Sequence, residues 1–313
     1  MLISICIPTY NRCEMLKEAI KSALAQEGED FEVVVSDNCS TDHSRTMLQS
    51  LTDPRLKVVY QSENLGAGLN HRACLANSNG KWILFLHDDD QLRPSSLALV
   101  RSWLDGKEEY AVILPDFVSF LGTGILFDNC LRLLNGISPS STIYRRDFLI
   151  THIPPPDGDC GDWEILVLAA WYNYKFSFYP FEYIRRRDHE GQESKRIIQD
   201  GSGNRSKSDV AQRISRLVEV KKWVSISERL ATSWTTEELM TLARYFHHAG
   251  CRSHYRTLQT AAARRGKWTW VSAKGLYIGL ERVLGQNLAD RALAMAKKHG
   301  ARWTGSKTIE AAQ

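Results

Sequence analysis

The chain has no long apolar run, no paired cysteines and no leader-like amino terminus. Its longest apolar stretches, residues 82–86 and 165–171, are far shorter than the roughly 20 residues with which a helix crosses a bilayer, so we predict no membrane span. The 7 cysteines show no paired spacing, which argues against a disulfide framework or a zinc site. Residues 1–8 lack a basic region and a small-residue cleavage site, and we interpret them as the first strand. These absences favour a globular protein of a reducing cytoplasm.

Charge is distributed unevenly along the 313 residues. Residues 1–200 contain 20 Lys and Arg against 28 Asp and Glu, whereas residues 201–313 contain 20 against 8. A basic carboxy-terminal third attracts anionic partners over long range, although a solvated helical surface accounts for it equally well. Within it, residues 264–270 combine Arg and Lys with Trp, which is typical of peripheral contact with an anionic membrane and also of ordinary helix packing. We expect no nucleic-acid partner.

Strand and helix patterns alternate over the first 115 residues. The predicted strands cover residues 2–7, 31–36, 56–60, 82–86 and 110–114. The predicted helices cover residues 13–25, 42–51, 68–76 and 94–104, the last opened by Pro94 at its first helical position. This βαβ rhythm predicts an α/β fold with a doubly wound, mostly parallel sheet.

The pattern changes in the remainder of the chain. Residues 138–144 and 174–179 are predicted strands that complete the sheet, and residues 162–171 are predicted to form an apolar helix. Residues 191–208 are polar and glycine-containing, as in a loop or linker. Helical periodicity dominates from residue 209. We therefore predict an α/β domain over residues 1–207 and a basic helical subdomain over residues 208–313.

Three carboxylates, Asp88, Asp89 and Asp90, follow closely on the apolar strand over residues 82–86. In open parallel sheets, ligands bind beyond the carboxyl ends of the strands. Adjacent carboxylates repel one another unless a proton or a cation relieves the repulsion, and their hard oxygens favour Mg or Mn. The cluster therefore predicts a divalent cation site, with a solvated acidic turn before a helix as the alternative.

Polar residues also follow the first two predicted strands. The first ends in PTYNR, residues 8–12, and the second in VSDNCSTD, residues 35–42. An aromatic ring such as Tyr10 can stack on a nucleobase, a carboxylate such as Asp37 can accept hydrogen bonds from a base or ribose, and Arg12 can neutralise phosphate. Each segment alone is equally typical of a turn with helix capping.

Taken in order, four segments resemble the nucleotide-sugar half of the family 2 inverting glycosyltransferases, which have the GT-A fold. They are PTYNR at 8–12, VSDNCSTD at 35–42, ENLGAGLNHR at 63–72 and FLHDDD at 85–90. The resemblance implies a nucleotide-sugar half over residues 1–115 and an acceptor half over residues 116–207. It implies nucleotide contacts from Pro8, Thr9, Tyr10, Arg12, Asp37, Asn64, Gly66, Arg72 and Asp88.

The resemblance also implies the metal ligands. The Asp-x-Asp metal motif falls at Asp88 to Asp90. Because His87 stands where many members have their first acid, Asp88 is left for the ribose, and Asp89 and Asp90 are the expected metal ligands. His189 matches a histidine that reaches the metal or the diphosphate, with a surface histidine as the alternative. The neighbouring run of arginines at residues 185–187 can lend charge to the diphosphate, although strand alternation sends Arg186 to the face opposite the other two.

The catalytic base is expected at the start of a helix beyond the acceptor strand. In GDCGDWE, residues 158–164, the resemblance points to Asp162, with Asp159 and Glu164 as alternatives. A carboxylate there can take the proton of the acceptor hydroxyl as that hydroxyl attacks the anomeric carbon. A plain helix N-cap is the alternative for Asp162, and we interpret the neighbouring Trp163 as a core residue rather than a sugar-stacking one.

These expectations describe a metal-dependent inverting glycosyltransferase. It would move a sugar from a nucleoside diphosphate sugar, with UDP favoured, to a hydroxyl of a glycan or lipid-linked glycan in surface polysaccharide biosynthesis. The expected location is cytoplasmic, with peripheral contact at the inner membrane face. A sugar-phosphate nucleotidyltransferase is the first alternative, but it needs a Gly-rich loop after the first strand, which PTYNRCEML lacks. A non-catalytic nucleotide-sugar-binding scaffold is the second.

Overall fold

The computed structural model describes residues 3–115, 126–132, 139–152, 161–192 and 202–264. The chain divides into two compact units, Met1–Ser206 and Lys207–Gln313. That the chain folds as two domains with a boundary at residues 207 and 208 stays a prediction. In the described part of the chain, no helix is both long enough and apolar enough to cross a membrane.

The first unit is built on a seven-stranded sheet. Its strands are β1 Ile3–Thr9, β2 Phe31–Asp37, β3 Leu56–Tyr60, β4 Trp82–Phe85, β6 Tyr110–Pro115, β7 Ile143–Arg145 and β8 Lys175–Tyr179, in the order β3-β2-β1-β4-β7-β6-β8. A second, two-stranded sheet pairs β5 Gln91–Leu92 with β9 Ile184–Arg185 in antiparallel orientation. Among the described strands of the large sheet, only β7 runs antiparallel to its neighbours, which confirms the mostly parallel α/β fold.

Seven described helices accompany this unit. They are α1 Cys13–Leu24, α2 Ser44–Gln49, α3 Ala67–Ala76, α4 Ser96–Leu104, α5 Leu126–Arg132, α6 Arg146–His152 and α7 Gly161–Trp171. Ile5 and Ile7 of β1 belong to the same core cluster as Leu16 of α1. Cys6, between them, lies beside Cys74 of α3. Because helices cover both faces, every residue of β1 is buried and its sequence shows no polar alternation.

The parallel register brings the carboxyl ends of three strands to one edge of the sheet. Thr9 pairs with Asp37 across β1 and β2, and Cys6 pairs with Phe85 across β1 and β4. The segments that follow β1, β2 and β4 therefore leave the sheet side by side. These are the segments with the polar residues that the sequence singles out.

The second unit is helical over its described residues. The helix α8 Ser202–Leu217 crosses the boundary at Ser206, and α9 Val220–Ser233, α10 Thr236–His248 and α11 Arg252–Arg264 follow it. A capping box joins Thr235 and Glu238 at the start of α10. Trp223 of α9 donates from Nε1 to the His254 carbonyl at 3.2 Å, and the His254 ring stacks on Phe246 at 5.5 Å. The predicted helical carboxy-terminal region is thus confirmed for these residues.

Several predicted boundaries differ from the structure, and the local contacts show the reason in two cases. The fourth helix begins at Ser96 rather than Pro94, because Ser95 takes a left-handed backbone with φ 57° and Ser96 Oγ donates to the Tyr183 carbonyl at 2.8 Å. Within the strand predicted over residues 138–144, Pro139–Ser141 form a 3₁₀ turn. The strand itself, β7, begins only at Ile143.

Candidate active site

The three carboxylates after β4 are buried, with exposed fractions of 5%, 7% and 4% for Asp88, Asp89 and Asp90. Asp88 accepts a hydrogen bond from Thr9 Oγ1 at 2.8 Å and another from Arg12 Nη1 at 2.9 Å. Burial raises the pKa of Asp88, against the opposing charge of Arg12. The end of β1 thus supplies a hydroxyl and a guanidinium to the first carboxylate of the cluster.

Arg12 also joins Asp89 to the segment that follows β9. Its Nη1 lies 2.9 Å from Asp89 Oδ2, and its Nη2 donates to the Gly191 carbonyl at 2.8 Å. His189 Nε2 lies 3.0 Å from the same Asp89 oxygen. The structure therefore brings His189 to the acidic cluster, 100 residues along the chain from Asp89.

Asp90 is held by two backbone segments. The Arg187 backbone N–H donates to Asp90 Oδ1 at 3.3 Å, and Ser140 hydrogen-bonds the same carboxyl. Burial raises the pKa of Asp90, and the neighbouring His87 lowers it. The His87 backbone N–H in turn donates to Ser140 Oγ at 3.0 Å, so the 3₁₀ turn before β7 holds the acidic turn in place.

His87, Asp89 and Asp90 can hold a metal ion together. Each offers a ligand atom within 4.8 Å of the other two, and two carboxylate oxygens with one imidazole nitrogen suit Mn or Mg. The donor set therefore fits a divalent cation. Sequence reasoning placed Asp89, Asp90 and His189 in this role and treated His87 only as the replacement for an acid, although an imidazole is itself a ligand.

The arginines after β9 have different surroundings. Arg187 donates from Nε to the Asp89 carbonyl at 2.6 Å and from Nη1 to Glu18 at 2.7 Å, so it ties the acidic turn to α1. Arg186 donates to Ser141 Oγ. Arg186 and Arg187 lie beyond the end of β9, and their side chains have different partners.

Asp37, at the end of β2, is fully buried and has partners within the protein. Its Oδ2 accepts from Arg45 Nε at 2.6 Å, and its Oδ1 accepts from the Ser40 backbone N–H at 3.2 Å. Arg45 also donates to the Gln61 carbonyl at 2.5 Å. Arg45 is a residue that sequence reasoning missed, because nothing in its helical surroundings marks it as the partner of a strand-end acid.

Asparagine side chains connect the strand ends to α3. Asn38 donates to Asn64 Oδ1 at 2.8 Å and accepts from the Leu65 backbone N–H at 2.8 Å. Asn70 donates to the carbonyls of Ser36 and Thr9 at 3.0 and 3.3 Å. These bonds fix the segment before α3 against the first two strands.

The remaining predicted nucleotide residues surround this network. Pro8 is buried in β1, and Tyr10 is 42% exposed. Gly66 has a left-handed φ of 83°. A Cβ there would meet open space, so a larger residue would be opposed by backbone strain and not by a steric clash. Arg72 is half-buried in α3.

The expected catalytic base is only partly described. Asp162 is the second residue of α7, its side chain lies outside the described residues, and Asp159 lies outside them altogether. Glu164 is buried, with an exposed fraction of 2%. Trp163 is buried as well and donates from Nε1 to the Cys130 carbonyl at 3.0 Å, so it is a core residue.

Comparison with known proteins adds independent information. Residues 4–153 match the profile of glycosyl transferase family 2. The chain is 38% identical over 114 residues to the abequosyltransferase RfbV of Salmonella typhimurium, covering 35% of this chain and 34% of the relative. It is 30% identical over 161 residues to the GalNAc(5)-diNAcBac-PP-undecaprenol beta-1,3-glucosyltransferase of Campylobacter jejuni, covering 47% of each. The matches thus span less than half the length of these curated relatives.

Solved structures show the same fold. S. aureus TarS 1-349 in complex with UDP-GlcNAc has a TM-score of 0.65 and 19% identity, covering 97% of this chain and 93% of that one. The mannosyltransferase PcManGT from Pyrobaculum calidifontis, in complex with GDP-Man and Mn2+, has a TM-score of 0.52 and 17% identity, covering 96% and 88%. The profile match thus assigns residues 4–153, just under half of the chain, to glycosyl transferase family 2.

Proposed function

We propose that the protein transfers a sugar from a nucleoside diphosphate sugar, with UDP as the favoured nucleotide, to a hydroxyl of a glycan, with inversion at the anomeric carbon. The observation that carries this proposal is the buried acidic turn, which lies at the carboxyl ends of β1, β2 and β4 and is joined to Arg12. Relatives named for glycosyl transfer and for succinoglycan biosynthesis support a role in surface polysaccharide assembly.

The nucleotide would occupy the edge formed by the first two strands and the segment before α3. Tyr10 offers an exposed ring for stacking on the base. Asp88 offers a carboxylate for the ribose hydroxyls. The hydrogen bonds around Asn64 hold the segment before α3 in place.

His87, Asp89 and Asp90 would hold Mn or Mg, with His189 beside Asp89. A divalent cation bound there would stabilise the negative charge of the departing diphosphate. Arg12 supplies positive charge to the same carboxylates from the protein itself.

We assign the base to Asp162, on the strength of its position at the start of α7. The positive end of a helix dipole favours the ionised carboxylate. That carboxylate would accept the proton of the acceptor hydroxyl while the hydroxyl oxygen bonds to the anomeric carbon. The diphosphate leaves from the opposite face, which inverts the configuration.

A thermal-shift titration tests the donor site. Wild-type protein would be heated with UDP, GDP, CDP or dTDP, each with and without Mn, beside Asp89→Asn and the exposed control Asp105→Asn. A ligand at 100 times its dissociation constant stabilises by about 2.7 kcal/mol. We expect one nucleotide to do so with Mn in wild type and the control, but not in Asp89→Asn. If no nucleotide stabilises the protein, the glycosyltransferase proposal fails.

Measuring sugar transfer distinguishes an enzyme from a protein that only binds the nucleotide sugar. Donor binding without sugar transfer to any candidate glycan, in the presence of Mn, would favour a nucleotide-sugar-binding scaffold. Formation of a nucleoside diphosphate sugar from a triphosphate and a sugar phosphate would favour a nucleotidyltransferase.

We further propose a cytoplasmic location with peripheral membrane contact through the basic carboxy-terminal third, which would bring the enzyme to a lipid-linked acceptor. The charge of residues 201–313 supports this. Co-sedimentation with anionic vesicles that weakens with salt, and is absent with neutral vesicles, is the expected result. Equal sedimentation with both kinds of vesicle would contradict it.

A further inference from the structure

A cavity of about 480 Å³ lies in the first unit. Its wall is formed largely by the segment from Tyr179 to Arg186, together with Arg93 and Ser141. Ser141 is the neighbour of Ser140, the residue whose hydroxyl holds the His87 backbone. The 3₁₀ turn Pro139–Ser141 thus contributes both to the cavity wall and to the support of the candidate metal site.

Aromatic rings make one side of this cavity rigid and apolar. Tyr179 lies 5.0 Å from Phe181 and 5.2 Å from Tyr183 between ring centroids. Tyr179 Oη donates to the Ser141 carbonyl at 2.6 Å. Tyr179 and Tyr183 are buried, whereas Phe181 is half-buried. The accessible ring surface on this side, of the kind against which the C–H face of a sugar packs, therefore belongs to Phe181.

Arginines provide the charge of the cavity. Arg93 forms an ion pair with Glu182 at 2.7 Å. Arg186 donates to the neutral Ser141 Oγ, and Arg185 lines the cavity next to it. Among the described residues, neither Arg185 nor Arg186 is paired with a carboxylate, so two positive charges face the cavity uncompensated.

Different partners separate this charge from the donor site. Arg187 and His189 contact Asp89, where the diphosphate would lie. Arg186 contacts Ser141 and lines the cavity. The charge of Arg186 is thus directed into the cavity rather than to the proposed donor site.

We propose that this cavity is a subsite for an anionic group of the acceptor, a carboxylate or a phosphate, bound by Arg186 with the help of Arg185. The aromatic wall would take the sugar that carries the anion. A planar guanidinium pairs with either anion through two parallel N–H donors. That the anion belongs to the acceptor rests on the proposed function, whereas the binding of an anion in this cavity does not.

The test is a binding measurement without nucleotide, by ligand-observed NMR. The probes are methyl glucuronide, its neutral counterpart methyl glucoside, and N-acetylglucosamine 1-phosphate. We expect wild type to bind an anionic probe at least fivefold more tightly than the glucoside. Preference for the glucuronide identifies an acidic sugar as the source of the anion, and preference for the sugar phosphate identifies a phosphate.

Variants test whether the anionic probe binds at Arg186. Arg186→Met removes the charge at similar length and should weaken the preferred probe about tenfold, whereas Arg186→Lys should retain part of the affinity. Arg216→Met, an exposed arginine of α8, is the matched control, and Arg185→Met serves if Arg186→Met does not fold. Equal binding of charged and neutral glycosides, or an equal loss in the control, would overturn the proposal. Asp89→Asn should leave this binding intact, so failure of the donor site is distinguishable from failure of the subsite.

Discussion

His71 of α3 is predicted to make stability depend on pH. Its Nδ1 lies 2.8 Å from the Ala67 carbonyl, to which it donates in the neutral ring. Its Nε2 is hidden from solvent and has no partner among the described residues. Burial, reinforced by the nearby His87, lowers the pKa of His71 from 6.5 to about 4. The folded protein therefore favours the neutral ring.

The direction of the effect follows from this lowered pKa. The unfolded chain binds the proton at pH values below about 6.5, where the folded protein still does not, so stability is greatest above pH 6.5 and falls as the pH drops towards 4. The full lowering of the His71 pKa, from 6.5 to about 4, corresponds to about 3 kcal/mol. Because other atoms of His71 are partly exposed, solvent screening reduces the contribution, and we expect about 2 kcal/mol.

The assay is urea unfolding at several pH values between 7.5 and 4.5, with EDTA present so that no metal occupies the acidic turn. The free energy of unfolding of wild type should fall with pH more steeply than that of His71→Gln, by about 2 kcal/mol over this range. His43→Gln, at an exposed histidine, should retain the wild-type slope. If His71→Gln keeps the full wild-type slope, His71 is not the titrating group.

Three further outcomes are expected. Asp162→Asn should lower kcat by about 10³-fold, because it removes a general base, while the nucleotide-induced thermal shift stays within error of wild type; retained turnover would remove the assignment. Trp163→Phe should lower the free energy of unfolding, measured in urea, by about 1–3 kcal/mol, because the Cys130 carbonyl loses its donor. The KM for the acceptor should not change. A raised KM with unchanged stability would instead indicate that Trp163 stacks on the sugar. Thr235→Ala should destabilise the helical unit by about 1 kcal/mol through loss of its N-cap, seen as a lower Tm, and Thr232→Ala, near the end of α9, is the control that should change Tm less.

The acidic edge of the sheet was predictable because its signals are local. β1, β2 and β4 are short apolar runs without alternation, and polar residues follow each of them within a few positions. In a parallel sheet such positions meet at one edge by topology alone. The nearness of Thr9 and Asp88, 79 residues apart, therefore follows from strand order.

Contacts from the later part of the chain were not predictable in this way. Ser140 reaches His87 from a 3₁₀ turn that sequence patterning mistook for a strand. The pairing of β5 with β9 involves two residues on each strand, too few to show a period of two. Arg187 contacts Asp89 across 98 positions, a distance along the chain at which no local pattern signals contact.

Arg12 bridges two carboxylates of the acidic turn through its Nη1. One guanidinium serves two neighbouring carboxylates and a carbonyl of the segment after β9. It acts as a counter-ion that belongs to the chain, so the repulsion within the acidic turn is partly relieved before any ion arrives. Groups of the chain itself thus hold the shape of the acidic turn.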